Sequence, residues 1–568
     1  MDGLYDVEQH RPREMIDKVV SALLATTIEP SWRDKFIHDL GVDSMGAMQI
    51  ISRLRALRGE KLTLSISGLY SLTIGELWQT VNQSDAGAHQ ATSIDWGLEA
   101  KFERTSVIPD QLKLDRSDDS RPRACLLTGV TGFIGPVMLA SLLTQFPSHT
   151  FLCLVRGADD GGTDLTALQR RTHSALELAA RHGVPGCSDA LKVLSSGDDR
   201  VVFLPGDLSA PNLGVDFDSD SFGVKLLLGA GVVDCVVHNG AHVSSLLPYR
   251  ALKQANVEAT ATVANLALDL GASLVFVSST SSIGGLVEAD GPVSEVYTTP
   301  FAAFPFMTGY GQTKAIAERR LYESASLIKV HHQQFLVLRL GLIGASSIGG
   351  DEIGASYSNA TDWLQAWGRA VLALRVIPEG TMGPLEILPV DCAAFMIAAL
   401  AKKVAERRER PCMSTGDAAE YGGGGSPCLT LHLCGAQRSS TYAAFRLALE
   451  KFIGLPRCEE VSLAEFRRRL CDTHDDVPPL VDGDGPMRVP HSAQALFSKT
   501  TQLPRTLPCD TTLAQDALSW LDETVARPSF IFRNGASCFR DDEEEEEYFS
   551  RWVRAMSRDQ VRTCTDPN

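Results

Sequence analysis

Residues 126–139, LLTGVTGFIGPVML, decide the fold. The stretch begins as an apolar strand, turns through Gly129, Gly132 and Gly135, and continues as an apolar run at helical spacing. Glycines placed in this way serve three physical ends: a tight turn, close approach of backbone N–H groups to a pyrophosphate, and a helix N-terminus aimed at that charge. A glycine turn alone is common. The context carries the reading, because strand, turn and helix follow in the required order.

Outward from this turn, short apolar runs alternate with amphipathic ones. The strand candidates are ACLLTG (124–129), FLCLVRG (151–157), VVFLPGD (201–207), VDCVVHNGA (233–241), LVFVSST (274–280) and FLVLRLGLIG (335–344). Between them lie stretches such as GPVMLASLLTQF (135–146) and YRALKQANVEATATVANLALDLG (249–271). Such alternation implies an α/β fold, a doubly wound parallel sheet of Rossmann type with helices on both faces. We place this core at 122–395 and a smaller mixed C-terminal part at 396–535. The glycine run EYGGGGSP (420–427) reads as a flexible surface insertion. The charge run DDEEEEEY (541–548) opens an acidic tail, 536–568, expected to be solvated and flexible.

Toward the N-terminus, residues 12–82 read as a small all-α unit of four-helix size. MIDKVVSALLATTI is helical, and Met45, Met48, Ile51, Leu54 and Leu57 recur three apart before Gly59 ends their helix. TIGELWQTV (73–81) is a further helix with Thr73 as its cap. Residues 83–121 are polar and read as a linker, with one docked helical segment around IDWGLEAKFE (94–103).

Composition bounds the partners. The chain has 568 residues, 44% hydrophobic and 22% charged, as ordinary globular domains have. A formal charge of -17 argues against nucleic acid or an anionic membrane surface as main partner, while leaving room for an anionic cofactor held by local arginines. Thirteen cysteines without a CxxC pair, a polar N-terminus and apolar runs short of a bilayer point to a soluble, cytoplasmic protein with no membrane span. No metal site is expected: His238 and His242 in HNGAH read as strand-end residues, and His331–His332 lack partners at ligand spacing. No GxSxG or P-loop supports a serine hydrolase or an ATPase.

The end of the second strand selects the cofactor. A carboxylate there accepts from the ribose of NAD; FLCLVRG instead ends in Arg156, whose guanidinium suits a 2′-phosphate. NADP(H) is therefore favoured, with an exposed surface arginine as the plain alternative. Arg170 or Arg171 adds a second candidate contact, and Asp207 follows the third strand where an adenine contact would lie. Downstream, Tyr310 and Lys314 are four apart and share one face of a helix. An ammonium beside a phenol stabilises the phenolate, which predicts a Tyr310 pKa falling from about 10 toward neutrality. Such a tyrosine delivers a proton to a carbonyl oxygen while hydride reaches carbon. Thr280, ending the strand LVFVSST, offers a hydroxyl to the same oxygen.

These stretches resemble the extended short-chain dehydrogenase/reductase superfamily. TGVTGFIG, CLVRG, GDL, VVHNGA, ANV, VSST, YGQTK and LPVD resemble, more narrowly, the thioester reductase domains that end nonribosomal peptide synthetases, polyketide hybrids and carboxylic acid reductases. The resemblance spans roughly 122–530 and is strongest to about 395. It implies Thr280, Tyr310 and Lys314 as a catalytic triad, with Lys314 also on the nicotinamide ribose. It implies Gly129, Thr131, Gly132, Phe133, Ile134, Gly135, Arg156, Asp207, Leu208, Asn239, Ala241 and Asn256 around NADPH. The substrate would be an acyl thioester, reduced through a thiohemiacetal to an aldehyde, and in a second round to an alcohol.

One serine gains meaning from this. In DLGVDSMGAMQI (39–50) Ser44 precedes a helix and suits an N-cap. As a nucleophile it lacks partners: His38 is near, but a base needs an orienting acid and an oxyanion site. LGVDS before a helix resembles the attachment site of acyl and peptidyl carrier domains, with Met45 where leucine is usual. That resemblance implies 4′-phosphopantetheine on Ser44, added by a phosphopantetheinyl transferase. A thioester carrier upstream of a thioester reductase makes one machine, loaded by upstream synthetase or synthase domains or by an enzyme acting in trans. The length leaves no room for adenylation, ketosynthase or condensation domains. Three rival readings are Dieckmann-type cyclising release, a dehydrogenase or epimerase on a free nucleotide sugar, and a silent NADP sensor.

Overall fold

The structure is a computed structural model, and it describes residues 32–40, 50, 69–70, 72–82, 94–109, 121–157, 165–244, 247–284, 292–329, 333–348, 356–359, 362–379, 387–406, 427–434, 445–449, 451, 459–472, 547–553 and 556. Ser44, the first two carrier helices, His331, His332 and the glycine run at 420–426 lie outside them. The last carrier helix, α1 (Ile74–Asn82), forms as its sequence requires. Thr73 Oγ1 accepts from the Glu76 N–H (3.2 Å) and Glu76 returns a carboxylate to the Thr73 N–H (2.8 Å), a reciprocal capping box.

Seven parallel strands form the main sheet in the order β3-β2-β1-β4-β5-β6 plus a further strand beside β6. They are β1 (Arg123–Thr128), β2 (Thr150–Val155), β3 (Val201–Pro205), β4 (Val232–His238), β5 (Ser273–Ser279) and β6 (Phe335–Leu340). Strand side chains alternate between faces, and both faces are apolar. Cys125 and Leu127 of β1 join one core, with the helix Gly135–Gln145; Ala124 and Leu126 join the other, with the helix Ala259–Leu270. The strand order reverses between β1 and β4, which opens a crevice at their carboxyl ends.

Three expectations are corrected. FLVLRLGLIG is not one strand: Gly341 breaks it, and β7 (Leu342–Gly344) pairs with the separate strand Ile387–Pro389 instead. The core does not stop at 395. A helix runs Val390–Glu406 across that boundary, and Cys428–Leu433 adds the seventh strand beside β6. The acidic tail is not solvated throughout: Tyr548, Phe549, Trp552, Val553 and Met556 are buried with Trp367, Phe445 and Phe466. Their spacing of three to four is an apolar helical stripe, and its burial outweighs the charge run before it. Trp552 Nε1 donates to Gln365 (3.1 Å) and Tyr548 Oη to the Ala345 carbonyl (3.0 Å). No described helix is long and apolar enough to cross a membrane.

Truncating so large a buried ring costs about 3–5 kcal/mol. Trp552→Ala should therefore lower the urea midpoint of the chain; an unchanged midpoint would restore the picture of a solvated tail.

Candidate active site

The glycine turn is shaped by contacts no side chain could tolerate. Gly129 has φ of +76°, and a Cβ there would lie 2.6 Å from the Gly240 nitrogen. A Cβ on Gly135 would overlap the Gly129 carbonyl, so the helix α2 (Gly135–Gln145) packs directly on the turn. Gly132 differs: its missing Cβ faces only the Gly129 oxygen, at 3.4 Å. That leaves an open cradle at the N-terminus of α2, which has no acidic residue in its first turn. The residues fit a pyrophosphate. Asn239 Nδ2 donates to the Gly129 carbonyl (3.2 Å) and fixes the turn from β4. Phe133 spends its ring elsewhere, stacked on Tyr357 (5.1 Å, 27°), and Ile134 packs against the core. Thr131 and Ala241 are half-buried beside the turn.

Arg156 is exposed at the end of β2, and Arg171 Nη1 donates to its carbonyl (2.5 Å). Arg156 and Arg171 thus lie together at the carboxyl end of β2. Asp207 accepts from the Ser209 N–H (2.8 Å), so it shapes its own turn, while Leu208 packs over Gly240.

A buried chain of hydrogen bonds ties this half of the site to the other. His238 lies between Thr128 Oγ1 (Nδ1, 2.8 Å) and Thr260 Oγ1 (Nε2, 3.1 Å). Burial, and then the charge of Lys314, hold its pKa down at about 3, so the ring is neutral. Donor counting assigns the tautomer. Thr260 Oγ1 donates to the Asn256 carbonyl (2.7 Å), so it accepts from Nε2–H; Nδ1 then accepts from Thr128, whose oxygen accepts from the Gly240 N–H (2.9 Å). Asn256, in the widened helical segment Gln254–Glu258, takes the chain further. It accepts from the His242 N–H (2.7 Å) and donates to the His242 carbonyl (3.0 Å) and Thr313 Oγ1 (3.1 Å). Thr313 donates to the Tyr310 carbonyl (2.8 Å). Asn256 therefore positions the backbone around the site and has its polar atoms engaged.

Tyr310 and Lys314 sit in the first turns of helix α3 (Gly309–Ala325), which Thr308 caps through the Gly311 N–H (3.1 Å). Thr280 opens a short 3-10 helix at the end of β5. A Cβ on Gly311 would lie 2.5 Å from the Ser281 carbonyl, so the residues following Tyr310 and Thr280 are in backbone contact. Thr280 and Tyr310 thereby stand on adjoining backbone segments, with Lys314 one turn further along α3. Lys314 Nζ donates to the Val277 carbonyl (2.8 Å) and lies 4.5 Å from the Phe276 ring centre and 5.8 Å from that of Tyr310.

The predicted fall of the Tyr310 pKa does not occur. Burial pushes the phenol well above its ordinary value, and burial also lowers Lys314 to about 7, against the pull of the Glu318 carboxylate. Desolvation outweighs the pairing. A phenol kept protonated is nevertheless the state a proton donor needs.

The residues not foreseen lie behind Lys314. Glu318, on the same helix, is buried in an ion pair with Arg339 of β6 (2.7 Å) and accepts from Ser278 Oγ (2.5 Å). Burial raises its carboxyl, but the Arg339 charge and these bonds hold it below the usual range. Arg339 within the apolar run VLRLG was the available signal. Among the described residues no cluster of potential metal ligands occurs.

Residues 127–397 match the NAD-binding family described as Male sterility protein, and residues 14–71 match the phosphopantetheine attachment site family. Peramine synthetase ppzA of Metarhizium rileyi is 31% identical over 360 residues, 60% of this chain and 11% of the relative. Glycine betaine reductase ATRR of Emericella nidulans is 29% identical over 382 residues, 67% of this chain and 27% of the relative. The chain thus spans only a fraction of the curated relatives it matches. Among solved structures, an archaeal thiolation-reductase di-domain of a nonribosomal peptide synthetase superposes with a TM-score of 0.54 at 14% identity, covering 95% of this chain and 97% of that one.

The buried imidazole makes a testable demand. Unfolded His238 takes a proton near pH 6.5 and the folded ring only near pH 3, so the unfolded state binds more protons between these values and stability falls as pH drops through them. The loss amounts to about 2 kcal/mol at pH 5. Urea unfolding of parent and His238→Gln should show a steeper acid slope for the parent; equal slopes would contradict the assignment.

Proposed function

We propose that this chain, which joins a phosphopantetheine-attachment domain to a NAD-binding reductase domain of the male sterility protein family, reductively releases an acyl thioester carried on Ser44 as an aldehyde. The reading is supported by the position of Tyr310, Lys314 and Thr280 at the carboxyl end of a sheet whose glycine turn leaves room for a pyrophosphate. Arg156 and Arg171 support NADPH over NADH.

Bound NADPH supplies hydride to the acyl carbon. The chain's own groups do the rest. Gly129, Gly132 and Gly135 with the α2 N-terminus would hold its pyrophosphate, and Arg156 with Arg171 would take its 2′-phosphate. Thr280 holds the carbonyl oxygen, and Tyr310 gives it a proton as negative charge develops. The Lys314 ammonium, anchored on the Val277 carbonyl, lowers the cost of the phenolate left behind. The carbon–sulfur bond then breaks, the thiol stays on the arm, and the aldehyde departs. Loading needs a phosphopantetheinyl transferase and an acyl-delivering synthetase or synthase.

Removing a general acid costs about 10²–10⁴ in rate. Tyr310→Phe should lose NADPH oxidation with a soluble pantetheine thioester on that scale; parental turnover would sink the assignment. Because Lys314 titrates at about 7 in the free enzyme, kcat/KM should fall about tenfold per pH unit above that value, and Lys314→Arg should remove this limb. Incubation with coenzyme A and a phosphopantetheinyl transferase should add the arm to the parent and not to Ser44→Ala, as read by intact mass; equal gain in both would place attachment elsewhere.

A further inference from the structure

The described part of the expected linker is built into the reductase. Trp96 stands edge-on to Tyr249 (5.0 Å, 79°) and tilted on Phe304 (4.7 Å, 50°). Ala100 is buried with Val257, Ala315 and Ile316, and the last two directly follow Lys314. Glu99 accepts from Tyr249 Oη (2.7 Å) and Lys253 Nζ (2.9 Å), and its carbonyl accepts from Arg320 Nε (2.8 Å). Arg320 in turn pairs with Glu258 (2.8 Å), the last residue of the segment that carries Asn256. Further on, the Phe102 N–H donates to Glu323 of α3 (2.7 Å), and Arg104 pairs with Asp269 (2.6 Å), which also accepts from the Val107 N–H (2.7 Å).

We propose that residues 94–108 form a strap that positions the catalytic helix, with Glu99 and Arg320 as its working residues. The inference rests on the reading of Tyr310 and Lys314 given above. Three parts meet on the Arg320 guanidinium: the strap, the segment of Asn256 and the helix of Tyr310. Arg320 lies six residues beyond Lys314, about 9 Å along the same helix, too far to touch the reacting atoms. It acts through the helix. Most of its hydrogen-bonding partners belong to other elements, so it fixes where α3 sits along its axis. A misplacement of about 1 Å at reacting atoms costs on the order of 10² in rate, which is the lever such a clamp works on. Trp96 and Ala100 hold the neighbouring apolar face, so the strap constrains α3 on two sides.

The test is steady-state kinetics with a soluble pantetheine thioester and NADPH, with NADPH affinity measured by fluorescence. Arg320→Met should lower kcat about tenfold or more while NADPH affinity stays within twofold of the parent. Arg320→Lys, which keeps a cation but loses the fork, should recover part of that loss. Glu99→Gln should fall between parent and Arg320→Met, and it decides the matter if Arg320→Met does not fold. Leu98→Ala, an exposed residue of the strap, should match the parent. Parental kcat in folded Glu99→Gln and Arg320→Met would overturn the inference, as would equal losses of kcat and NADPH affinity, the mark of general loosening. If Tyr310→Phe kept parental turnover, the reading of the active site would fail; if only the strap variants did, the fault would lie with the strap alone.

Discussion

The structure depends on two backbones that touch. Gly129 lies so close to the Gly240 backbone that no side chain fits at Gly129, and this contact joins the ends of β1 and β4 at the point where the strand order reverses. Every parallel sheet of this kind must open a crevice there. What is particular here is how the crevice is held. Gly240 donates to Thr128, Asn239 bonds the Gly129 carbonyl, and a neutral imidazole passes the constraint through Thr260 and Asn256 to the helix of Tyr310. The glycine turn and the helix of Tyr310 are therefore one polar network. A buried network is favourable only when each member is satisfied, and a single tautomer of His238 satisfies this one.

Electrostatics behind Tyr310 and Lys314 follow from the same burial. Lys314 lies in a dry environment, which disfavours its charge, and the nearest carboxylate, Glu318, is already committed to Arg339. The Glu318–Arg339 pair is costly to bury and weak evidence for stability by itself. Its effect on the site is to keep Glu318 anionic beneath Lys314, which limits how far burial can depress the ammonium. A neutral residue in place of Glu318 would leave Lys314 with less to hold its proton.

Much of this was legible from local pattern. The strand–turn–helix string fixed the glycine cradle, and the four-residue spacing of Tyr310 and Lys314 gave their shared face. What escaped was set by tertiary context. Pairing of phenol and ammonium was the local expectation, but desolvation is a property of the assembled core and reversed it. Gly341 divides one apolar run between two sheets, which periodicity cannot see. The stripe at 548–556 was readable as a helix, yet the glutamates before it drew attention to charge instead. The docked segment around 94–103 was expected, but its anchors were not, because Glu323, Asp269 and Arg320 lie more than 150 residues away in the chain.

That strap also changes how far the attached carrier can travel. If the whole stretch between Asn82 and Arg123 were free, a fully extended chain would reach about 140 Å at about 3.5 Å per residue. Fixing the chain at 94–109 leaves the stretch between 82 and 94, which can span at most about 40 Å. That stretch ends beside Trp96, which packs on Phe304 just ahead of the Tyr310 helix. On the proposed reading, the segment that steadies the helix of Tyr310 also sets where the chain toward Asn82 leaves the sheet domain, and both consequences follow from where Glu99 and Arg320 meet.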